Sequence, residues 1–140
     1  MTAIDYDLLH VGDTLPVLVT APVSRLDLAL YCGASGDHNP IHVDIDFARQ
    51  AGMDDVFAHG MLSMAFLGRL LTDWVPQHQL RTWSVRFVAI THVGDAITCQ
   101  GEVAEKFEQD GERRVRLALT TRNQHDDIKL KGEAVIGFPV

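Results

Sequence analysis

The stretch "GMLSMAFLGRLLTDWVP", residues 60–76, decides how this chain of 140 residues folds. Its polar residues between Met61 and Trp74 are few: Ser63, Arg69, Thr72 and Asp73. A helix that is apolar on nearly every side is normally enclosed by other structure. Pro76 supplies its stop, because proline cannot continue a helix. The rest of the chain is therefore expected to fold around this segment.

The second half of the chain contains four runs with the composition of β-strands. They are "LRTWSVRFVAI", "AITCQGEVAEKFEQ", "RRVRLALTTRNQ" and "IKLKGEAVIGF", at residues 80–90, 96–109, 113–124 and 128–138. The Asp110-Gly111 pair is a strong hairpin signal, and the short separators predict an antiparallel meander. Together with the apolar helix, these runs predict an α+β fold in which a curved sheet encloses one long helix.

The segment before the long helix contains two further elements. "VGDTLPVLVTAPVS", residues 11–24, predicts an edge strand that its two prolines interrupt. Ser24, with Asp27 three residues later, is typical of a capped helix start, and that helix is expected to end near Gly33 or Gly36. We see no repeat and no linker, so residues 1–140 are expected to form a single domain.

The composition excludes several classes of partner. A formal net charge of -7 argues against nucleic acid and anionic membranes. The N-terminus has no basic region of the signal-peptide kind, and no apolar run is long enough to span a bilayer. Cys32 and Cys99 form no disulfide framework and no CxxC pair. We therefore expect a cytoplasmic protein.

The segment "SGDHNPIHVD", residues 35–44, concentrates titratable groups. Asp37 and His42 are five residues apart, which on a helix would put them roughly 140° apart and therefore on different faces. Pro40 excludes a continuous helix through the segment, however, and a turn can bring the two side chains together. The segment is therefore a candidate acid/base loop.

Two other interpretations compete for this segment. Gly, Asp, Asn and Pro are the commonest turn formers, so it is also typical of a plain surface turn. A zinc site would take ligands from His38, His42, Asp44 and His59. The HxxxH spacing suits zinc on a helix, but Pro40 lies inside it, so we expect no metal.

A second motif, "AHGML" at residues 58–62, places Gly60 where the apolar helix begins. A helix N-terminus offers unpaired N–H groups and partial positive charge, and a glycine lets a ligand oxygen approach closely. This is the geometry of an oxyanion hole. The alternative is an ordinary helix start with His59 as a polar neighbour. An acid/base pair beside an anion site indicates chemistry next to a carbonyl.

These two motifs, followed by "VRFVAITHVGDAI", resemble the MaoC-like (R)-specific enoyl-CoA hydratases and dehydratases of the hotdog fold. The order of motifs covers roughly residues 12–138. The resemblance implies a hotdog domain whose long central helix is wrapped by a curved antiparallel sheet. It also implies a dimer, homo- or heteromeric, with the acyl-thioester site near the subunit interface.

The resemblance also implies roles for particular residues. Asp37 and His42 would be the hydration dyad, Asn39 would shape the loop between them, and the Gly60 N–H would donate to the thioester carbonyl. His59 and Ser63 are expected to contact the substrate, although Ser63 also fits a tight packing position. The substrate would be an acyl-CoA or acyl-carrier-protein thioester, with no metal or redox cofactor.

The chain departs from the family pattern where many relatives have proline in the strand motif, since Ile90 and Thr91 stand there. It also resembles the single-hotdog subunits of mycobacterial-type heterodimeric dehydratases, through "AHGMLSM" and "TDWV", and would be the catalytic partner because it keeps the dyad.

Two other functions stay open: a hotdog thioesterase, and a non-catalytic binding subunit. A thioesterase would carry a carboxylate on the central helix, and Met61–Thr72 has none. The sequence leaves open the acyl length, the carrier, the physiological direction and which Arg or Lys meets CoA phosphates.

Overall fold

The apolar stretch forms one helix, Gly60–Trp74, in the computed structural model, which describes residues 4–139. The helices are α1 (Arg25–Ser35), α2 (Ile45–Gln50) and α3 (Gly60–Trp74), with short 3-10 turns at Tyr6–Leu8, Pro40–His42 and Gln77–Gln79. The strands are β1 (Leu18–Val19), β2 (Leu80–Phe87), β3 (Thr98–Gln109), β4 (Glu112–Arg122) and β5 (Ile128–Phe138). Within the described residues, no helix is long and apolar enough to cross a membrane.

The strands form one antiparallel sheet in the order β1-β3-β4-β5-β2. Strands β3, β4 and β5 make the predicted meander. The hairpin between β3 and β4 turns at Asp110 and Gly111, whose φ angles of 56° and 76° lie in the left-handed region that such tight turns require.

The position of β2 corrects the predicted meander. This strand pairs with β5 at one edge of the sheet instead of with β3, the next strand in sequence. The connection over residues 88–97 is too long for a tight hairpin and carries the chain across to β3. The strand run predicted over residues 80–90 accordingly ends at Phe87.

Helix α3 packs against the inner face of this sheet. Four of its side chains join residues of β3, β4 and β5 in the main core: Leu67, Leu70, Leu71 and Trp74. A buried leucine of this kind contributes about 1.5–3 kcal/mol to stability. Near the start of α3, Leu62 packs with Leu28 of α1 in a second cluster. Met61 remains 55% exposed and Ala65 is also exposed, so the chain encloses α3 on fewer sides than its composition predicts.

Helix α1 leads directly into the polar segment. Ser24 and Asp27 form the predicted capping box, in which each side chain bonds the other residue's backbone N–H. The helix ends at Ser35, and Gly36 follows with φ of 75°, which matches one of the two predicted ends. The predicted edge strand is present as β1, reduced to two residues on β3.

Candidate active site

A tight turn after α1 brings the side chains of Asp37 and His42 together. The Asp37 N–H donates to Ser35 Oγ (3.1 Å), and the Asn39 N–H donates to Asp37 Oδ1 (3.3 Å). Asn39 then caps the 3-10 turn Pro40–His42, because its Oδ1 accepts from the Ile41 N–H at 3.1 Å. The structure thus shows Asn39 as the residue that shapes this loop.

His42 is buried and held in one orientation. Its Nδ1 lies 2.6 Å from the carbonyl oxygen of Phe57. A carbonyl can only accept, so Nδ1 carries the hydrogen and the neutral ring has its lone pair on Nε2. The Phe57 ring also meets the imidazole edge-on, with the ring centroids 5.1 Å apart. His42 therefore presents a free base nitrogen with a fixed tautomer.

His59 lies behind this pair and is 1% exposed. Its ring stacks on His42 with the centroids 3.9 Å apart and meets the Tyr31 ring edge-on at 4.9 Å. Its Nε2–H donates to the backbone carbonyl of Asp37 at 3.2 Å. Burial lowers the pKa of the His59 imidazole below its usual range, and the adjacent His42 lowers it further. His59 is thus a neutral support for both members of the pair, and its contact with substrate remains a prediction.

The ligating atoms of Asp37, His42 and His59 all lie within 4.8 Å of one another. A water molecule can bridge a carboxylate and a ring nitrogen across such a distance, and a metal ion can also be held by such a group. The zinc set considered from sequence is not assembled: Asp44 caps α2 by accepting from the Asp46 and Phe47 N–H groups, and His38 is exposed outside the cluster.

The first residue of α3 opens into a cavity of about 290 Å³. Gly60 lies in its wall, and the described residues offer no acceptor for the Gly60 N–H. The rest of the wall comes from Phe57, Ala58, Ser63, Leu130 and residues 87–91. The segment Phe57–Gly60 therefore connects the two features, since the carbonyl of Phe57 holds His42 and Gly60 lies in the cavity wall.

Residues 88–90, which the sequence predicted as strand, form a loop that with Thr91 makes one side of this cavity. The carbonyl of Lys129 accepts from the N–H groups of Val88 and Ala89, and the Thr91 carbonyl accepts from the Ala58 N–H at 2.9 Å. Thr91 and Ser63 share a hydrogen bond between their hydroxyls at 3.1 Å. Ser63 thus lines the cavity, and its contact with substrate remains a prediction.

Sequence reasoning missed the supporting groups of the site. Phe57 acts through its backbone carbonyl, which leaves no signature in the sequence. Tyr31, whose ring packs on His59, lies one helical turn before the polar segment, and that position was the available signal. Lys129 is buried in the structure, although lysines in strands normally face solvent.

Known proteins are similar to this chain over most of its length. The 3-hydroxyacyl-[acyl-carrier-protein] dehydratase of Arabidopsis thaliana mitochondria is 29% identical over 133 residues, which cover 94% of this chain and 79% of that protein. The (R)-specific enoyl-CoA hydratase of Rhodospirillum rubrum is 29% identical over 119 residues, 84% of this chain and 81% of that protein.

Among solved structures, the unliganded R-hydratase PhaJ1 of Pseudomonas aeruginosa superposes with a TM-score of 0.82 at 31% identity, covering 96% of this chain and 84% of that one. The curved five-stranded sheet around α3 is therefore the hotdog fold that the resemblance predicted. The model of the MaoC like domain matches residues 9–125, which include the turn, the start of α3 and most of the sheet. The chain therefore belongs to the MaoC-like domain family.

Proposed function

We propose that this protein catalyses the reversible hydration of trans-2-enoyl thioesters to (R)-3-hydroxyacyl thioesters. The observation that carries the proposal is the cluster of Asp37, His42 and His59, whose ligating atoms lie within 4.8 Å of one another, with His59 directly preceding Gly60 in the cavity wall at the start of α3. The names of the relatives, enoyl-CoA hydratase and 3-hydroxyacyl dehydratase, describe this reaction in its two directions. The (R) configuration follows the names of the hydratase relatives.

The geometry supports one order of events. A water molecule held by the Asp37 carboxylate and His42 Nε2 loses a proton to the dyad as its oxygen adds to C3 of the enoyl group. Negative charge then grows on the thioester oxygen, which the Gly60 N–H and the helix N-terminus stabilise. The dyad returns a proton to C2, so the sum is the addition of one water. Dehydration follows the same steps in reverse.

Each part contributes a known order of magnitude to the rate. General acid/base help by a positioned pair is typically worth about 10²–10⁴-fold. One oxyanion donor is worth roughly another 10²–10³. The bond from His42 Nδ1 to the Phe57 carbonyl keeps Nε2 unprotonated in the neutral ring, so the base is ready before substrate arrives.

The test incubates the protein with a panel of short, long and branched trans-2-enoyl-CoAs. Hydration is monitored through the loss of the conjugated-thioester absorbance, and free thiol is measured in the same samples. We expect absorbance loss without thiol release, reduced about 10²–10⁴-fold by Asp37→Asn. The matched control is Asp46→Asn, since Asp46 is an exposed carboxylate on α2 outside the site. Thiol release would instead identify a thioesterase and refute the proposal.

We also propose that the protein works as a dimer of hotdog subunits, with itself or with a related chain. The structure offers a suitable surface, because β2 is an edge strand of eight residues and none of the described residues pairs with its outer side. A chain that hydrates enoyl-CoAs only after a second hotdog protein is added would be the catalytic subunit of a heterodimer. The CoA and carrier-protein forms of each thioester should be compared in the same assay.

A further inference from the structure

Two buried hydroxyl groups line the cavity next to Gly60. Ser63 is 5% exposed and Thr91 is 3% exposed, and their hydroxyl oxygens are 3.1 Å apart. Two hydroxyls bring two hydrogens, and the bond between them uses only one. Among residues 4–139, neither hydroxyl has another partner. One buried donor therefore remains available, although buried hydroxyls are normally fully paired.

The available donor lies toward the start of α3. Side chains in a helix tilt toward its N-terminus, so the Ser63 hydroxyl lies over the first turn, which begins with Gly60. Gly60 has no side chain to fill this space, and its own N–H is unpaired within the described residues. Gly60, with an N–H donor, and Ser63, with an O–H donor, thus line the same cavity one helical turn apart.

The position of Thr91 is fixed from two sides. Its carbonyl accepts from the Ala58 N–H at 2.9 Å, which ties it to the segment that leads into α3. The adjacent Ile90 carbonyl accepts from the Lys129 ammonium at 2.8 Å, and Lys129 is itself paired with Asp95 at 3.3 Å. The Thr91 hydroxyl is therefore held where it can orient Ser63 before substrate binds.

Packing alone does not account for the pair. Valine has nearly the shape of threonine and alanine is only slightly smaller than serine, so apolar residues would fill the same space without a buried, half-used donor. The hydroxyls are explained if a ligand oxygen completes their hydrogen bonding.

We infer that Ser63 is a second oxyanion donor and that Thr91 positions it. This inference rests on the proposed hydratase function. In the structure the Ser63 hydroxyl donates to Thr91 Oγ1. In the reacting complex it turns to donate to the thioester oxygen beside the Gly60 N–H, and the Thr91 hydroxyl then donates to Ser63 Oγ. Neither hydroxyl gives up its proton. Ser63 is thus a catalytic residue and Thr91 a positioning residue.

Steady-state kinetics test both roles. We expect Ser63→Ala to lower kcat by about 10²-fold while KM stays within about a factor of three, because the bond strengthens only as charge develops. Thr91→Val should lower kcat by about 10-fold, and Thr91→Ser should restore it. The double variant Ser63→Ala/Thr91→Val should resemble Ser63→Ala alone, because the two residues act as one unit.

Infrared spectroscopy supplies a readout that a purely structural role would not change. A trans-2-enoyl-CoA labelled with ¹³C at the thioester carbonyl is bound to the Asp37→Asn protein, which keeps the substrate intact. Adding Ser63→Ala should raise the carbonyl stretching frequency, because the bond is less polarised. Ser84→Ala, at an exposed position on β2, should leave the frequency unchanged.

The outcomes separate this inference from the proposed function. Full kcat in Ser63→Ala with an unchanged carbonyl frequency would overturn the inference, while loss of hydration in Asp37→Asn would still support the hydratase. Additive losses in the double variant would overturn the pairing of the two hydroxyls. Thr91→Val closely conserves shape, so its result stands even if Ser63→Ala unfolds. A wild-type protein that hydrates no enoyl-CoA would overturn both proposals.

Discussion

The stacked rings of His42 and His59, with centroids 3.9 Å apart, differ in their hydrogen bonding. His42 keeps a free Nε2 because the Phe57 carbonyl engages its Nδ1. His59 is buried, and its Nδ1 has no partner among the described residues. Burial disfavours a positive charge on His59, which lowers the pKa of its imidazole and favours the neutral ring.

Stability should therefore depend on pH through His59. Its folded pKa lies below the unfolded value of about 6.5, so the folded state binds this proton less readily. The contribution to stability is fully present above about pH 6.5 and is lost as the pH falls toward the folded pKa, at up to about 1.4 kcal/mol per pH unit. Urea unfolding between about pH 8 and pH 5 measures the slope of the free energy of unfolding against pH. His59→Gln should flatten it, whereas replacing the exposed His125 by Gln should not; equal slopes in all three proteins would contradict the assignment.

Gly60 allows a second prediction at the same scale. A β-carbon added at Gly60 would lie 3.2 Å from the Phe87 ring, on the cavity side. We expect Gly60→Ala to change the free energy of unfolding by less than about 1 kcal/mol, because alanine suits a helix. It should lower kcat/KM for enoyl-CoA by about 10-fold or more, because the methyl group displaces the thioester from the N–H.

Gly33→Ala is the matched control for this variant. Gly33 lies within α1, and a β-carbon there would meet no atom within 4 Å. Its activity should equal that of the wild type. Full activity of Gly60→Ala in the same assay would contradict the proposed hydrogen bond from the Gly60 N–H to the thioester oxygen.

At the scale of elements, the connection between β2 and β3 is held by a buried polar cluster. Asp95 accepts from the His92 N–H (2.9 Å) and from Asn123 Nδ2 (3.2 Å), and it pairs with Lys129. Burial by itself raises the pKa of the Asp95 carboxyl. The hydrogen bonds from His92 and Asn123, with the charge of Lys129, outweigh this effect and hold the pKa below its usual value. The Asp95 carboxyl is therefore charged at neutral pH.

Removing one partner of the buried Asp95–Lys129 pair should lower the free energy of unfolding. We expect Lys129→Met to destabilise the protein by about 3–5 kcal/mol, because it leaves a buried charge without its partner. Adding Asp95→Asn should recover part of the loss. Arg116→Met removes an exposed pair with Glu105 and Glu133 and should cost less than about 1 kcal/mol. Urea unfolding of the wild type and these three variants measures the loss and its recovery. A cost for Lys129→Met no larger than that for Arg116→Met would contradict this role.

At the scale of the whole molecule, the sheet has two unequal edges. Strand β1 has two residues, whereas β2 has eight and exposes its outer side. An edge of this length is a ready template for pairing with another strand. Pairing of β2 strands from two chains would extend the sheet across both subunits.

We expect the purified protein to have about twice the mass of its 15.5 kDa chain in size-exclusion chromatography with light scattering. Ser84→Lys should yield monomers, because pairing about a two-fold axis would bring like charges together across the edge. Ala118→Lys places the same charge at an exposed position on β4, inside the sheet, and should leave the dimer intact. A dimer that survives Ser84→Lys would place the interface elsewhere.

Much of this architecture could be predicted because its signals are local. The capping box at Ser24, the hairpin at Asp110 and the interruption at Pro40 each act on a few neighbouring residues. The place of β2 beside β5 could not be predicted, because it depends on which sheet edge remains free after the meander forms. Residues 88–91 have strand-like composition, yet contacts with Lys129 and Ala58, distant in sequence, hold them as the cavity wall.

The bond between His42 and the Phe57 carbonyl has a consequence for how this protein evolves. Every amino acid carries a main-chain carbonyl, so no point mutation at position 57 deletes the acceptor that sets the tautomer of His42. The side chain at the same position lines the cavity. Under the proposed function, a different side chain at position 57 would change the space available to the acyl group. The carbonyl would still hold the hydrogen of His42 on Nδ1. Under the proposed function, the side chain at position 57 can therefore alter substrate preference, while the main-chain carbonyl of the same residue preserves the tautomer of His42.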